Sequence, residues 1–158
     1  MAALLVALLL AARAGASGPP AADTAPIYDP DTDGVRQIEA GARFCAQSGR
    51  RLVLNLGTND CAACRVVNRA MHEPKFYSAL VNDFYPVFVD VTPGSKNAAL
   101  LKRFEVDPKR GLPIVIFYDS NLKPVEMTKN GEMAALAKKG EREVQLFFLS
   151  HFPKNEER

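Results

Sequence analysis

The stretch that decides the fold is RLVLNLGTNDCAACR, residues 51–65. Residues 52–56 are a short apolar run closed by Gly57, which is the pattern of a buried strand. Two cysteines, Cys61 and Cys64, follow directly, and their spacing places them one helical turn apart at the start of the next segment. The pair is therefore predicted to lie where a central strand passes into a helix.

The cysteine pair has three possible interpretations: a redox couple, a local staple or half of a metal site. A helix N-terminus stabilises a thiolate, which favours Cys61 as an exposed nucleophile and Cys64 as the thiol that attacks the mixed disulfide. A metal site would need Cys45, His72 or His151, and none has the spacing of a second metal-binding pair. The redox couple is favoured, with no metal and no organic cofactor.

The hydrophobic pattern elsewhere alternates helices and strands. Val35, Ile38, Ala42 and Cys45 form the apolar face of a helix that ends at Gly49, so Cys45 is predicted to be a buried thiol. Further helices are predicted from residue 64 to Pro74, through 76–81, over 96–104 and over 141–152, and strands over 85–91, 114–118 and 125–128, with a loop at Asn130 and Gly131.

This order of elements predicts the fold class. Strands separated by helices imply a right-handed crossover and a parallel pair, and the later strands add an antiparallel hairpin. We expect one α/β domain with a central mixed sheet of about four strands, flanked by helices and preceded by an N-terminal extension. The 158 residues, 47% of them hydrophobic, suffice for one well-buried core.

The first thirty residues are predicted to be a leader and a tether. Residues 1–16 are almost all Ala and Leu and end in small residues, which is typical of a signal peptide, and residues 2–12 are too short for a comfortable membrane span. Residues 17–30 contain four prolines and are predicted to be a flexible linker, so the domain is 31–158. We expect a periplasmic or secreted protein without stable membrane insertion; the alternative is an anchor formed by an uncleaved signal.

Charge says little about a partner. The net charge of +2 arises from 20 basic and 18 acidic residues spread along the chain. No basic stripe is present, so nucleic acid is not expected as a partner. We expect a monomer.

A second motif, RGLP, occupies residues 110–113, and its proline follows Cys61 by 52 positions. With CAAC and the order of elements, it makes the chain from residue 28 to 152 resemble the thioredoxin superfamily, in particular the exported single-domain thioredoxin-like proteins of bacteria. The resemblance implies a thiol:disulfide oxidoreductase that acts on protein thiols and disulfides and is recharged by an unidentified redox partner. It also implies a cis Leu112–Pro113 bond in a loop that faces the cysteines and binds an extended substrate segment.

The sequence departs from the superfamily at two positions. Asp60 precedes the first cysteine where Trp is common, and Asn55 stands where many members carry a buried Asp or Glu. An amide cannot titrate, so proton transfer at Cys64 would have to use water or another group. Asp60 opposes the helix dipole, so Cys61 is expected to be moderately acidic and the couple to lean towards reduction of substrates. The alternative is a redox-inactive thioredoxin-fold binding or chaperone module.

Overall fold

The structure is a computed structural model that describes residues 25–154. The predicted signal peptide and the first part of the predicted linker lie outside the described residues. The elements in chain order are α1 (Gly34–Ser48), β1 (Arg51–Gly57), α2 (Ala62–His72), α3 (Pro74–Asp83), β2 (Phe84–Asp90), α4 (Ala99–Arg103), a short 3-10 helix (Pro108–Arg110), β3 (Ile114–Tyr118), β4 (Pro124–Met127), α5 (Glu132–Lys139) and α6 (Glu141–Leu149).

Within residues 25–154 the strands form one mixed sheet of four, in the order β2-β1-β3-β4. β1 pairs with β2 in parallel and with β3 antiparallel, and β3 pairs with β4 antiparallel. β1 and β2 can run in parallel because α2 and α3 return the chain to the end of the sheet where β1 begins. β3 and β4 are antiparallel, so a tight turn suffices between them. The predicted fold class, a mixed α/β sheet with a parallel pair and a later hairpin, is confirmed.

The sheet is buried on both faces, and successive strand residues point to opposite cores. Leu52, Leu54 and Leu56 pack with residues of α1 and α4 on one face. Val53 packs on the other face with residues of α2, α3, α5 and α6. Asn55 follows Val53 by two and therefore lies on the α2 side of the sheet, where it is 1% exposed.

The C-terminal part of the chain contains a helix that the sequence analysis missed. Residues 130–131 were expected to form a loop with no helix before residue 141, yet α5 begins directly after Gly131, which adopts φ 84°. Met133 and Ala137 of α5 are buried against the α2 side of the sheet. Tertiary burial of this short apolar stripe stabilises a helix whose own length is marginal.

Two other helices also differ from the prediction in their boundaries. The closing helix ends at Leu149 and not at residue 152. The predicted helix over 96–104 is limited to Ala99–Arg103, because turns occupy the residues before it.

The end of the predicted linker packs against the domain. Tyr28 is 1% exposed, and the part of residues 17–30 that the structure describes makes hydrogen bonds to the loop after β1. The expectation of a flexible linker is wrong for this part, because burial of the Tyr28 ring holds the segment against the domain. We call residues 25–29 the N-terminal arm.

No helix among residues 25–154 is both long and apolar enough to cross a membrane.

Candidate redox site at the start of α2

The two cysteines of the motif are joined at the start of α2. Cys61 is the N-cap residue, Cys64 lies in the first turn, and their sulfurs form a disulfide with the Cα atoms 5.2 Å apart. The backbone N–H of Cys64 donates a hydrogen bond to Cys61 Sγ at 3.1 Å. Cys61 is partly exposed, whereas Cys64 is fully buried. A thiol from another protein can therefore attack Cys61, whereas burial shields Cys64 from such an attack.

The loop before β3 faces the disulfide. The Leu112–Pro113 peptide bond is cis, and the carbonyl oxygen of Leu112 lies 3.5 Å from Cys61 Sγ. Pro113 is buried, while Leu112 is partly exposed. The Arg110 guanidinium donates a hydrogen bond to the Asn130 side chain at 2.8 Å, which fixes this loop to the segment before α5. The structure thus brings Leu112 and Pro113 next to the cysteine pair.

Asn55 has a partner that the sequence analysis did not foresee. The hydroxyl of Tyr28 donates a hydrogen bond to Asn55 Oδ1 at 2.8 Å, and both residues are 1% exposed. The amide nitrogen of Asn55 lies 3.9 Å from the sulfur of Met71 on α2. A tyrosine from the N-terminal arm therefore reaches the buried side of the cysteine pair.

The segment between β1 and α2 fastens the arm. Asn59 Oδ1 accepts hydrogen bonds from the backbone N–H groups of Ile27 and Tyr28, at 2.8 and 3.0 Å, and its amide nitrogen donates to the Tyr28 carbonyl at 2.8 Å. The Arg65 guanidinium donates to the carbonyls of Asn59 and Ala25, at 2.6 and 3.3 Å. Residues that flank the cysteines in sequence thus hold the arm in place.

Asp60 gives the exposed side of the site a negative charge. Its carboxylate is exposed and accepts a hydrogen bond from the Thr58 hydroxyl at 2.5 Å. This hydrogen bond, with a second from its own backbone N–H, lowers the pKa of Asp60. Asp60 is therefore ionised at neutral pH beside Cys61.

The other metal-binding or thiol candidates lie away from the pair. Cys45 is a free, buried cysteine of α1 in the opposite core, as predicted, and burial raises the pKa of its thiol, with a smaller lowering by Arg50. His72 stacks on Tyr77, and His151 stacks on Phe117. Among residues 25–154, no three His, Cys, Asp or Glu side chains are grouped to hold a metal ion.

Sequence reasoning missed Tyr28 and Asn59 as parts of the site. A weak signal exists for Tyr28, because Ile27 and Tyr28 are adjacent large apolar residues in residues 17–30, which otherwise consist of proline and small or polar residues. Asn59 carries no such signal, since an asparagine after a strand is ordinary turn chemistry.

Fold and site together define a class of protein. A mixed sheet covered on both faces, a cysteine pair at the start of the helix after the central strand, and a proline loop against the first cysteine are the features of a thioredoxin-like protein. A fold of this type with a close cysteine pair supports thiol:disulfide oxidoreductase activity. The thioredoxin-like family profile matches residues 33–120, and the chain belongs to this family.

One solved structure with a similar fold supports this assignment. The chain is similar to a disulphide isomerase from Xylella fastidiosa Temecula1, with 25% identity, a TM-score of 0.72, and coverage of 80% of this chain and 96% of that chain. It also matches the C-terminal domain of DsbD from Neisseria meningitidis in the oxidised form, with 19% identity, a TM-score of 0.49, and coverage of 69% and 97%. No curated protein sequence matches the chain.

Proposed function

We propose that the protein is a thiol:disulfide oxidoreductase that exchanges disulfides with protein substrates through Cys61 and Cys64. The observation that carries the proposal is the asymmetry of the pair: a partly exposed Cys61 at a helix N-cap is bonded to a fully buried Cys64. A disulfide that served only as a staple would have no need for one accessible sulfur. The disulphide isomerase from Xylella fastidiosa, similar over most of both chains, adds support.

The reaction has two exchange steps. The Cys61 thiolate attacks one sulfur of a substrate disulfide, which forms a mixed disulfide and releases the other substrate sulfur as a thiolate. The Cys64 thiolate then attacks Cys61 Sγ, which forms the Cys61–Cys64 disulfide and releases the second substrate thiolate. Two electrons pass from the pair to the substrate, and a separate dithiol partner must return them. No metal or organic cofactor takes part.

The loop at Leu112 and Pro113 is proposed to position the substrate. The Leu112 carbonyl oxygen lies 3.5 Å from Cys61 Sγ, so an extended segment that pairs with this backbone would bring its own cysteine to the sulfur. Backbone pairing of this kind depends little on the side chains of the substrate, so it gives low sequence specificity. We therefore expect the enzyme, acting as a monomer, to accept many protein disulfides.

The couple is proposed to lean towards reduction of substrates. A helix N-terminus contributes about 0.3–1 kcal/mol and at most about 2 kcal/mol, and one pKa unit corresponds to about 1.36 kcal/mol, so the helix alone would lower the pKa of a thiol by roughly one unit. The ionised Asp60 opposes this effect. Equilibration with glutathione measures the reduction potential; a potential as high as that of a strong oxidant would contradict this part of the proposal.

Export is proposed from residues 1–16. An oxidising compartment outside the cytoplasm is where a stable cysteine pair of this kind meets protein disulfides. N-terminal sequencing of the protein from the periplasm or medium should find the chain cut near Ala16. An intact Met1 on a membrane-bound protein would instead indicate an uncleaved anchor.

Substrate trapping tests the exchange reaction. In Cys64→Ser, Cys61 can attack but nothing resolves the mixed disulfide, so covalent adducts with client proteins should accumulate in the compartment where the protein resides. Adducts should disappear on reduction and be absent from the matched control Cys61→Ser/Cys64→Ser. If Cys64→Ser traps no more than this control, the oxidoreductase proposal fails and the redox-inactive binding module is favoured.

A further inference from the structure

A buried hydroxyl lies beside the buried sulfur of the pair. Gly57, at the end of β1, has no side chain, and a Cβ atom there would collide with the hydroxyl of Tyr28 and lie 2.9 Å from Cys64 Sγ. The Tyr28 oxygen and the Cys64 sulfur therefore both border the space that a side chain at position 57 would fill. Glycine is required here because a Cβ atom would collide with the hydroxyl and the ring of Tyr28.

The Tyr28 hydroxyl is held in the protonated form. Burial, with a smaller contribution from the nearby Asp90 carboxylate, raises the pKa of Tyr28 above its ordinary value of 10.0. Asp90 is itself 1% exposed and accepts two hydrogen bonds from Thr92, through the backbone N–H and the hydroxyl, each at 3.0 Å. Tyr28 therefore acts as a hydrogen-bond donor and not as a base.

We propose that the Tyr28 hydroxyl donates a hydrogen bond to the Cys64 thiolate when the disulfide opens, and that Asn55 and the N-terminal arm position it for this. In the oxidised protein the hydroxyl donates to Asn55 Oδ1. When Cys64 becomes a thiolate, the O–H bond turns towards the sulfur, and rotation of the Asn55 amide lets its nitrogen donate to the phenolic oxygen. The result is a chain of two donors that ends on the buried sulfur.

This inference rests on the proposed function and concerns how Cys64 becomes reactive. Cys64 loses its proton to solvent, its thiolate attacks Cys61 Sγ, and the leaving substrate sulfur takes a proton from solvent, so Tyr28 itself neither gains nor loses one. A hydrogen bond to a thiolate lowers the pKa of the thiol. An amide at position 55 with a tyrosine can thus favour the Cys64 thiolate although Asn55 itself cannot titrate.

Several other titratable or charged groups belong to the motif or to the elements next to it. They are Cys61, with Asp60 and Arg65 in the same motif, Asp90, which pairs with Gly57 on the neighbouring strand, and Lys138 of α5, which lines a groove with Ala62 and Ala63. None of them has a hydroxyl at the Gly57 position, as Tyr28 does. Substitution of that one hydroxyl therefore isolates its effect.

The test is the pKa of Cys64 in the full chain with Cys61→Ser and Cys45→Ala, in which Cys64 is the single thiol. Thiolate absorbance as a function of pH gives the pKa. Adding Tyr28→Phe should raise it by about one unit or more, since a hydrogen bond to a charged group is lost while the ring remains. Tyr118→Phe, which removes another buried hydroxyl in the opposite core, is the matched control and should leave it unchanged.

A second variant separates this role from packing. Replacing Tyr28 by 3-fluorotyrosine keeps the shape and makes the hydroxyl a stronger donor, so the pKa of Cys64 should move down. With intact cysteines, Tyr28→Phe should slow resolution of a mixed disulfide about tenfold at neutral pH and less at alkaline pH. A pKa of Cys64 that neither substitution moves overturns the proposal. The titration needs no substrate, so failure of the trapping experiment would leave this result interpretable.

Discussion

At the scale of single residues, Asn55 and Tyr28 form a buried polar pair joined by a hydrogen bond. Tyr28 supplies the donor and Asn55 the acceptor, at 2.8 Å, in a core that excludes water from both. A buried donor left without an acceptor loses more than the hydrogen bond itself contributes, because its desolvation is no longer compensated. The two residues should therefore be strongly coupled energetically.

Asn55→Leu tests this coupling. The substitution keeps a similar volume but removes the acceptor, and it should lower the free energy of unfolding by about 1–3 kcal/mol. Adding Tyr28→Phe should recover part of the loss, because the orphaned hydroxyl is then gone. Chemical denaturation of the four proteins of this double-mutant cycle gives the coupling. Additive losses would show that the hydroxyl finds another partner.

At the scale of elements, the N-terminal arm is a component of the site without being a helix or a strand. Asn59 holds the arm's backbone with three hydrogen bonds, and Arg65 donates a further one to the Ala25 carbonyl. Asn59 lies between β1 and α2, so the same short loop places the arm on one side and presents Cys61 on the other. Damage to this loop should affect the arm before it affects the sheet.

Asn59→Ala should release the arm. Three hydrogen bonds at about 0.5–1.5 kcal/mol each are lost, which predicts a destabilisation of about 1–3 kcal/mol after water replaces some of them. Limited proteolysis should then cut within residues 25–29 while the sheet stays protected. Asn121→Ala, in the exposed turn between β3 and β4, is the control and should change neither property. Equal arm protection in both variants would mean that Asn59 does not hold the arm.

At the scale of the whole molecule, burial of two tyrosine side chains should lower the stability of the fold at alkaline pH. The ordinary pKa of tyrosine is 10.0, and both residues have a raised pKa. Burial raises the pKa of Tyr28, and the Asp90 charge adds to this effect. Burial also raises the pKa of Tyr118, while Arg103 partly opposes the shift. In the unfolded chain these phenols ionise near the ordinary value, whereas in the folded protein they stay neutral. The folded state then holds more protons, so stability falls as pH rises.

The free energy of unfolding should therefore begin to fall as the pH rises towards about 10 and continue to fall above it. Urea unfolding at a series of pH values from about 8 to about 11 measures this slope. Tyr28→Phe should make the slope shallower, whereas Tyr77→Phe, at a residue that is 39% exposed, should not. A slope that Tyr28→Phe leaves unchanged would argue that Tyr28 ionises in the folded state.

The sequence predicted those elements whose pattern depends on neighbouring residues, and it missed α5, which depends on tertiary contacts. The run LVLNL, the cysteine pair at a helix start and the apolar strand 114–118 are dictated by neighbours in sequence, and each lies in the structure where the pattern places it. α5 was missed because an eight-residue helix after Asn130 and Gly131 has little intrinsic stability, and only burial of Met133 and Ala137 decides it.

By itself the sequence determined the fold class and the place of Cys61 and Cys64, since hydrophobic periodicity and cysteine spacing act over a few residues. Only the tertiary structure decided that Tyr28 and Asn55 lie on the buried side of the cysteine pair. Tyr28 and Asn55 are 27 positions apart, and their hydrogen bond forms because Asn59 folds the arm back onto the end of β1. A contact of that separation leaves no local pattern, because it depends on chain closure and burial that no short stretch encodes.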